Sequence, residues 1–317
     1  MKNESFYYEL SKKFSLRKKD LIFPLFVQEN KNSKEFSSIP GIFKISYNNL
    51  LPVVEEIAES GIRYLILFGI PMFRDNRAKS SMSKNGIVQK SLKLIKSNFD
   101  GKITLISDIC VCQYNKTGHC GIFQKDGKFV DNDLTIDILS KIALSHAEAG
   151  VDIVAPSAMM DGQVGKIRKT LDIKGYNKIK ILSFSAKQST SLYKPFRSET
   201  FFDITANEID KSTYQVSYNN PRQVQREVEM DIIEGADMVL IKPAFSSLDL
   251  IYQVKKFCQN PIVVQVVSGE YAMIKAASKL GLLDENHFVI NMISSLKRAG
   301  ADKIMSYSSL SISKYFL

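Results

Sequence analysis

The chain has 317 residues, 44% hydrophobic and 24% charged, a composition that excludes a disordered polypeptide and is long enough for a large core. Its 43 Lys and Arg exceed its 33 Asp and Glu, for a net charge of +10. The basic residues are dispersed and form no block interleaved with aromatics, so they read as a solvated surface that draws in anionic substrates, and no nucleic-acid partner is expected. No apolar run approaches the roughly 18 residues of a spanning helix, and the polar N-terminus lacks a signal-peptide core, so a cytoplasmic protein without a membrane partner is expected.

Residues 1–19 are polar, basic and aromatic and read as an N-terminal arm. Phe6, Tyr7, Tyr8 and Leu10 would be exposed on it unless it packs on a neighbouring subunit. Residues 20–317 read as one domain. Apolar strands are predicted at Leu21–Val27, Tyr64–Ile70, Ile103–Ile109, Ile153–Pro156, Ile181–Ser185, Met238–Ile241, Ile262–Val267 and Lys303–Tyr307. Most are continuous rather than alternating, as parallel strands covered on both faces require. Helical spacing fills the gaps: Val88, Leu92, Ile95, Phe99; then Leu134, Ile138, Ile142; then Val224, Val228, Ile232. Four joins repeat one pattern, ESGIRYLILF, EAGVDIVAPS, EGADMVLIKP and RAGADKIMSY, with a glycine ending the helix just before each strand. Strands alternating with helices predict a (β/α)8 TIM barrel of the α/β class. An open doubly wound sheet is the alternative, and no GxGxxG turn follows the first strand to support it.

In such a barrel the chemistry lies at the C-terminal strand ends. The stretch ILSFSAKQSTSLYKPFR, 181–197, is an apolar strand that meets Lys187. A lysine there can be dry enough to lose its proton, and a neutral amine can attack a ketone to form a Schiff base. Tyr193, Phe196 and Arg197 follow within one loop. MVLIKPA repeats the arrangement with Lys242 at the end of the sixth strand. Neighbouring strands lie about 4.8 Å apart, so the two amines can enter one cavity and each should lower the other's pKa. Two imines point to two carbonyl substrates or to two halves of one intermediate.

The third strand runs into SDICVCQYNKTGHCG. Cys110, Cys112 and Cys120 form a C-x-C-x7-C cluster that offers three thiolates to zinc and leaves a fourth position for water or substrate. Three buried structural cysteines are the alternative. His119 is a candidate ligand or outer partner of that site, whereas His146, His287 and Cys258 read as structural. Ser268, where Gly269 and a helix start could present backbone N–H groups to a carboxylate, lies after the seventh strand. Tyr307 ends the eighth, Asp108 adjoins the cysteines, and Ser157 and Asp161 follow the fourth.

The stretches LIFPLFVQE, SIPGI, SDICVCQYNKTGHCG, VAPSAMMDGQV, SFSAKQSTSLYKPFR, EGADMVLIKPA, VSGEYAMIKAA and KRAGADKIMSY closely resemble the 5-aminolevulinate dehydratase (porphobilinogen synthase) family, from about Leu21 to Tyr307. The resemblance implies a barrel enzyme, a homo-octamer built with N-terminal arms, that condenses two 5-aminolevulinate molecules to porphobilinogen in tetrapyrrole synthesis. It implies Lys242 as the Schiff-base lysine for the first substrate and Lys187 for the second. It further implies Cys110, Cys112 and Cys120 as the zinc ligands, and Arg197 with Lys211 as a lid pair on one substrate carboxylate. Ser268 and Tyr307 would hold the other carboxylate, and Glu227 would be an allosteric magnesium ligand.

Three departures accompany it. Ala158 stands where an aspartate is usual, which removes a carboxylate from the mouth of the pocket. Lys211 replaces an arginine and loses its bidentate fork. The arm is short and lacks the usual arginine cluster. An active but slower enzyme is expected. The rivals are a non-catalytic barrel kept as a scaffold, for which Ala158 speaks, and a sugar-phosphate aldolase, which needs one lysine and no cysteine triad.

Overall fold

The computed structural model describes residues 4–200 and 210–317. Eight strands form the barrel: β1 (Leu21–Gln28), β2 (Tyr64–Ile70), β3 (Thr104–Ile109), β4 (Ile153–Pro156), β5 (Lys180–Lys187), β6 (Met238–Lys242), β7 (Ile262–Gln265) and β8 (Lys303–Met305). Each pairs in parallel with the next, and Leu21 and Ile22 of β1 pair with Ile304 and Met305 of β8, which closes the ring. The expected TIM barrel is therefore present. A short strand, Phe43–Ser46, adds alongside the end of β1.

The chain order of helices is α1 (Glu4–Lys13), α2 (Leu50–Glu59), α3 (Ile87–Phe99), α4 (Asn132–Ala147), α5 (Gln163–Ile173) and α6 (Lys194–Thr200), then α7 (Pro221–Ile233), α8 (Leu248–Lys255), α9 (Ser268–Lys279), α10 (Glu285–Ala299) and α11 (Ser309–Ser313). The four repeated joins work as their sequence suggests. Gly61, Gly150, Gly235 and Gly300 have φ of +87°, +92°, +106° and +122°, a region where a side chain would strain the backbone.

Two apolar layers divide the core. One, drawn from all eight strands, includes Ile22, Phe26, Ile66, Ile106, Ile153, Phe184, Leu240, Val263 and Met305, and fills the barrel. The other joins the outer faces of the strands to the helices, with Val54, Leu92, Ile142, Ile167, Val228, Ile251 and Ile293 among its members. Along β6 the faces alternate regularly: Met238 and Leu240 point in, Val239 and Ile241 point out.

The segment read as an arm carries α1, which lies on this chain's own barrel. Tyr7 is buried and donates a 2.6 Å hydrogen bond to Asp284 beside α10, and the Ser11 hydroxyl bonds the carbonyl of Tyr315. Phe6 packs edge-on against His287, while Phe6 and Tyr8 stay exposed. Among the described residues no helix is long and apolar enough to cross a membrane.

Candidate functional site

Lys187 and Lys242 are the last residues of β5 and β6, not residues beyond them, and they are register partners across the two strands. Both are buried. The Lys242 amine donates to Gln265 Oε1 at 2.9 Å and lies 4.9 Å from the Phe184 ring centre and 5.2 Å from that of Tyr193. Burial first, and then the charge of Lys187, pull Lys242 down from 10.5 to about 7. Lys187 does not follow the expectation that each amine lowers the other. Its amine donates to the Ser157 carbonyl at 2.6 Å and sits 3.5 Å from the Cys120 sulfur. Burial pulls it down, but the negative charge about Cys120, Cys110 and Cys112 outweighs burial and leaves it above the ordinary lysine value. Asp108 faces both amines from β3. Its carboxylate accepts from the Ser157 hydroxyl at 2.6 Å and from Gln113 at 3.3 Å, and burial raises its pKa against those partners.

The three cysteines converge. Cys110, Cys112 and Cys120 are buried and free, and their sulfurs lie within 4.8 Å of one another, Cys110 and Cys112 at 3.3 Å. Sulfurs bound tetrahedrally at about 2.3 Å would stand roughly 3.8 Å apart, so the trio fits a zinc-sized ion with small adjustments. Hydrogen bonds from Cys110 and Cys112 hold the Cys120 thiol well below its usual value, with Lys187 and Lys211 nearby. Burial, and then those same contacts, push Cys110 well up. His119 is not in the cluster. Its Nδ1 lies 3.1 Å from the Tyr214 hydroxyl, which also accepts from the Cys120 amide at 3.1 Å.

Above Lys242 is a small cavity of about 50 Å³ lined by Phe26, Phe68, Tyr193, Phe196, Gln265, Ser268 and Tyr307. Tyr193, Phe196 and Arg197 arrive on the segment after β5, which is seated on the barrel. The Phe196 amide donates to Ser268 Oγ at 3.2 Å, that hydroxyl donates to the Leu192 carbonyl at 3.3 Å, and the Phe196 ring centre lies 5.6 Å from that of Phe26. A Cβ on Gly269 would fall 2.5 Å from the Leu192 carbonyl oxygen, so glycine is needed for this closeness. Arg197 lies over the Tyr193 ring at 5.3 Å, and Lys211 points to the Cys120 sulfur at 3.5 Å. Tyr307 lies two residues past β8 and lines the cavity. The middle of the expected lid, residues 201–209, is outside the described residues.

A family model described as delta-aminolevulinic acid dehydratase matches residues 1–315 of the chain. The chain belongs to the delta-aminolevulinic acid dehydratase family. A relative of that name from Methanothermus sociabilis is 44% identical over 299 residues, covering 94% of this chain and 91% of its own. One from Staphylococcus aureus is 40% identical over 301 residues, covering 95% and 92%. The solved dehydratase from Toxoplasma gondii ME49, in complex with the reaction product porphobilinogen, superposes with a TM-score of 0.91 at 35% identity, covering 95% of this chain and 85% of that one.

Within this dehydratase framework several residues were not singled out from sequence. Gln265, the partner of Lys242, was hidden as one polar residue in an apolar run. Buried Glu270 accepts backbone N–H groups of Val267, Ala244, Phe245 and Ser246 and so clamps the turn after Lys242. Among the described residues, both amide atoms of buried Gln215 and the hydroxyl of Tyr193 have no partner. Ala158 is fully buried and is not among the residues that line the cavity. Glu227 stands apart, with Asp161, Asp231 and Glu234, on a second cavity of about 610 Å³. Burial, then Asp161 and Asp231, raise its pKa.

Proposed function

We propose that the protein is a porphobilinogen synthase, a lyase that joins two 5-aminolevulinate molecules into porphobilinogen and releases two waters in tetrapyrrole biosynthesis. The observation that carries this reading is the register pairing of Lys187 and Lys242 in a buried site beside three cysteine sulfurs. A sugar aldolase has no use for the second lysine or for the triad.

Lys242 acts first. With a pKa of about 7, roughly half its amine is neutral at pH 7, and the neutral amine adds to the ketone of one substrate and expels water as the imine forms. Lys187 then receives the second ketone after giving up its proton, with Asp108, oriented by Ser157 and Gln113, as the nearby acceptor. Ser268 and Tyr307, which line the cavity at Lys242, hold the carboxylate of the Lys242-bound substrate in this reading. Arg197, Lys211 and the unpaired amide of Gln215 hold the other. Tyr193 and Phe196 cover the imines and keep water from returning.

Cys110, Cys112 and Cys120 would hold zinc. A zinc ion bound there would supply a Lewis acid for the second substrate and a positive charge to offset the negative charge of its sulfur ligands beside Lys187. We further assign magnesium to the Glu227 cavity, a homo-oligomeric state to the assembly, and a reducing, cytoplasmic setting. Four free thiols support the last of these.

The deciding experiment is porphobilinogen formation from 5-aminolevulinate with added zinc and after chelation, alongside borohydride trapping. Product and adducts on both lysines support the reading. Folded protein that yields neither product nor adducts overturns it.

A further inference from the structure

Alternation along a strand should turn Lys187 away from the barrel. In β5, Leu182 and Phe184 point into the barrel, and Ile181 points out to the helices. A period of two from Phe184 would send Ala186 inward and Lys187 outward. The reverse is observed. Ala186 packs in the outer layer, and the Lys187 amine lies inside at the Ser157 carbonyl. The phase changes at an irregularity in the β5–β6 register. Val239 faces Ser183 and Ile241 faces Ala186, so three steps on β5 oppose two on β6. That is a bulge with one extra residue, and its effect is to re-aim the side chains beyond it. Lys242, on the regular strand, needs no such device.

One side chain grips the bulge from outside. Asp231 of α7 accepts a 2.6 Å hydrogen bond from the Ser183 hydroxyl, and the Ser185 hydroxyl donates at 3.4 Å to the Ser183 carbonyl. These serines flank Phe184, just before the phase changes between Ser185 and Ala186. The carboxylate fixes Ser183 on the outer face, and Ser185 is tied back to that same residue. Ala186, the extra outward residue, then follows Ser185, and Lys187 must turn in.

We propose that Asp231 is a positioning residue that, through Ser183, holds the β5 bulge and so aims Lys187 at the substrate. This rests on the Schiff-base role of Lys187 given above. The test is borohydride trapping with 5-aminolevulinate, adducts on Lys187 and Lys242 being quantified by peptide mapping, in wild type, Asp231→Ala and Asp231→Asn. Asp231→Ala should lose roughly 10- to 100-fold of the Lys187 adduct, the scale of a displacement of about 1 Å, while the Lys242 adduct stays within about twofold. Asp231→Asn, which can still accept the Ser183 hydroxyl, should restore most of it. Equal loss at both lysines, or no loss at Lys187, overturns the proposal. Should Asp231→Ala fail to fold, Ser183→Ala should show the same selective loss, smaller in size, and its absence is equally fatal. A crystal structure of the folded variant reads aim without chemistry: a Lys187 amine displaced from the Ser157 carbonyl supports the proposal, and an unmoved one overturns it. A wild type with no Lys187 adduct would instead fault the Schiff-base role, and the displacement would still decide the positioning.

Discussion

Lys187 and Lys242 are register partners at the ends of adjacent parallel strands, yet their amines stand in opposite fields. Lys242 has an amide oxygen and two aromatic rings around it, and burial favours its neutral form. Lys187 has sulfur and carboxylate charge around it, and those favour its protonated form. One pair of identical side chains is thereby divided by its surroundings, Lys242 drawn below the ordinary lysine value and Lys187 held above it.

Replacement of Lys242 tests the attacking role. Lys242→Ala is expected to lower turnover by on the order of 10³-fold or more, because no other amine replaces the nucleophile. Lys242→Arg keeps the charge and should fare no better. Lys187→Ala should also stop product formation, yet retain a borohydride-trapped adduct on Lys242. Mass spectrometry of the trapped protein separates the cases, and normal turnover by a folded Lys242→Ala protein would end the proposed mechanism.

The low pKa of Lys242 should appear in both rate and stability. The rate limb governed by this amine should rise through about pH 7. For stability, the folded value lies below the unfolded one, so between them the unfolded chain binds more protons and stability rises with pH. The contribution is present in full above the ordinary lysine value and lost as pH falls to about 7. Lys242→Met removes the buried charge. Its advantage over wild type in urea unfolding should be greatest below about pH 7 and shrink above it, by at most about 1.4 kcal/mol per pH unit. A pH-independent difference would contradict the shift.

The sulfur cluster predicts its own dependence. Chelation should cut product formation, and zinc should restore it. Cys120→Ser should lower bound zinc, measured directly by metal analysis, because one of three thiolate ligands is replaced by a poorer donor. Full activity after complete metal removal would leave the cysteines a structural role.

Gly269→Ala tests the seated segment. The added methyl would meet the Leu192 carbonyl and push the segment off the cavity. A loss of about 10- to 100-fold in kcat/KM is expected, with faster proteolysis between residues 188 and 200 and little change in the barrel's unfolding. Unchanged kinetics would show that this contact does not matter for closure.

Much of this protein is determined locally in its sequence. Continuous apolar runs, glycine-stopped helices and lysines at strand ends are set by short-range sterics and hydrophobic patterning, so the barrel and its two lysine-ended strands were readable, and C-x-C-x7-C was readable as a metal-sized cluster. Boundaries were less so: β7 ends at Gln265 and β8 at Met305, short of the predicted Val267 and Tyr307, because strand ends depend on which neighbour supplies the next hydrogen bond. The tertiary structure alone decided what surrounds each lysine. Sequence could not tell that cysteine sulfurs face Lys187 while Gln265 faces Lys242, nor that Ala158 is fully buried. Above all, it could not reveal the direction of Lys187. A period of two in ILSFSAK sends that side chain outward, and it turns inward at a bulge where a carboxylate 44 residues further along the chain holds Ser183. Which way a side chain leaves a strand is a matter of register, and register is settled by partners distant in sequence.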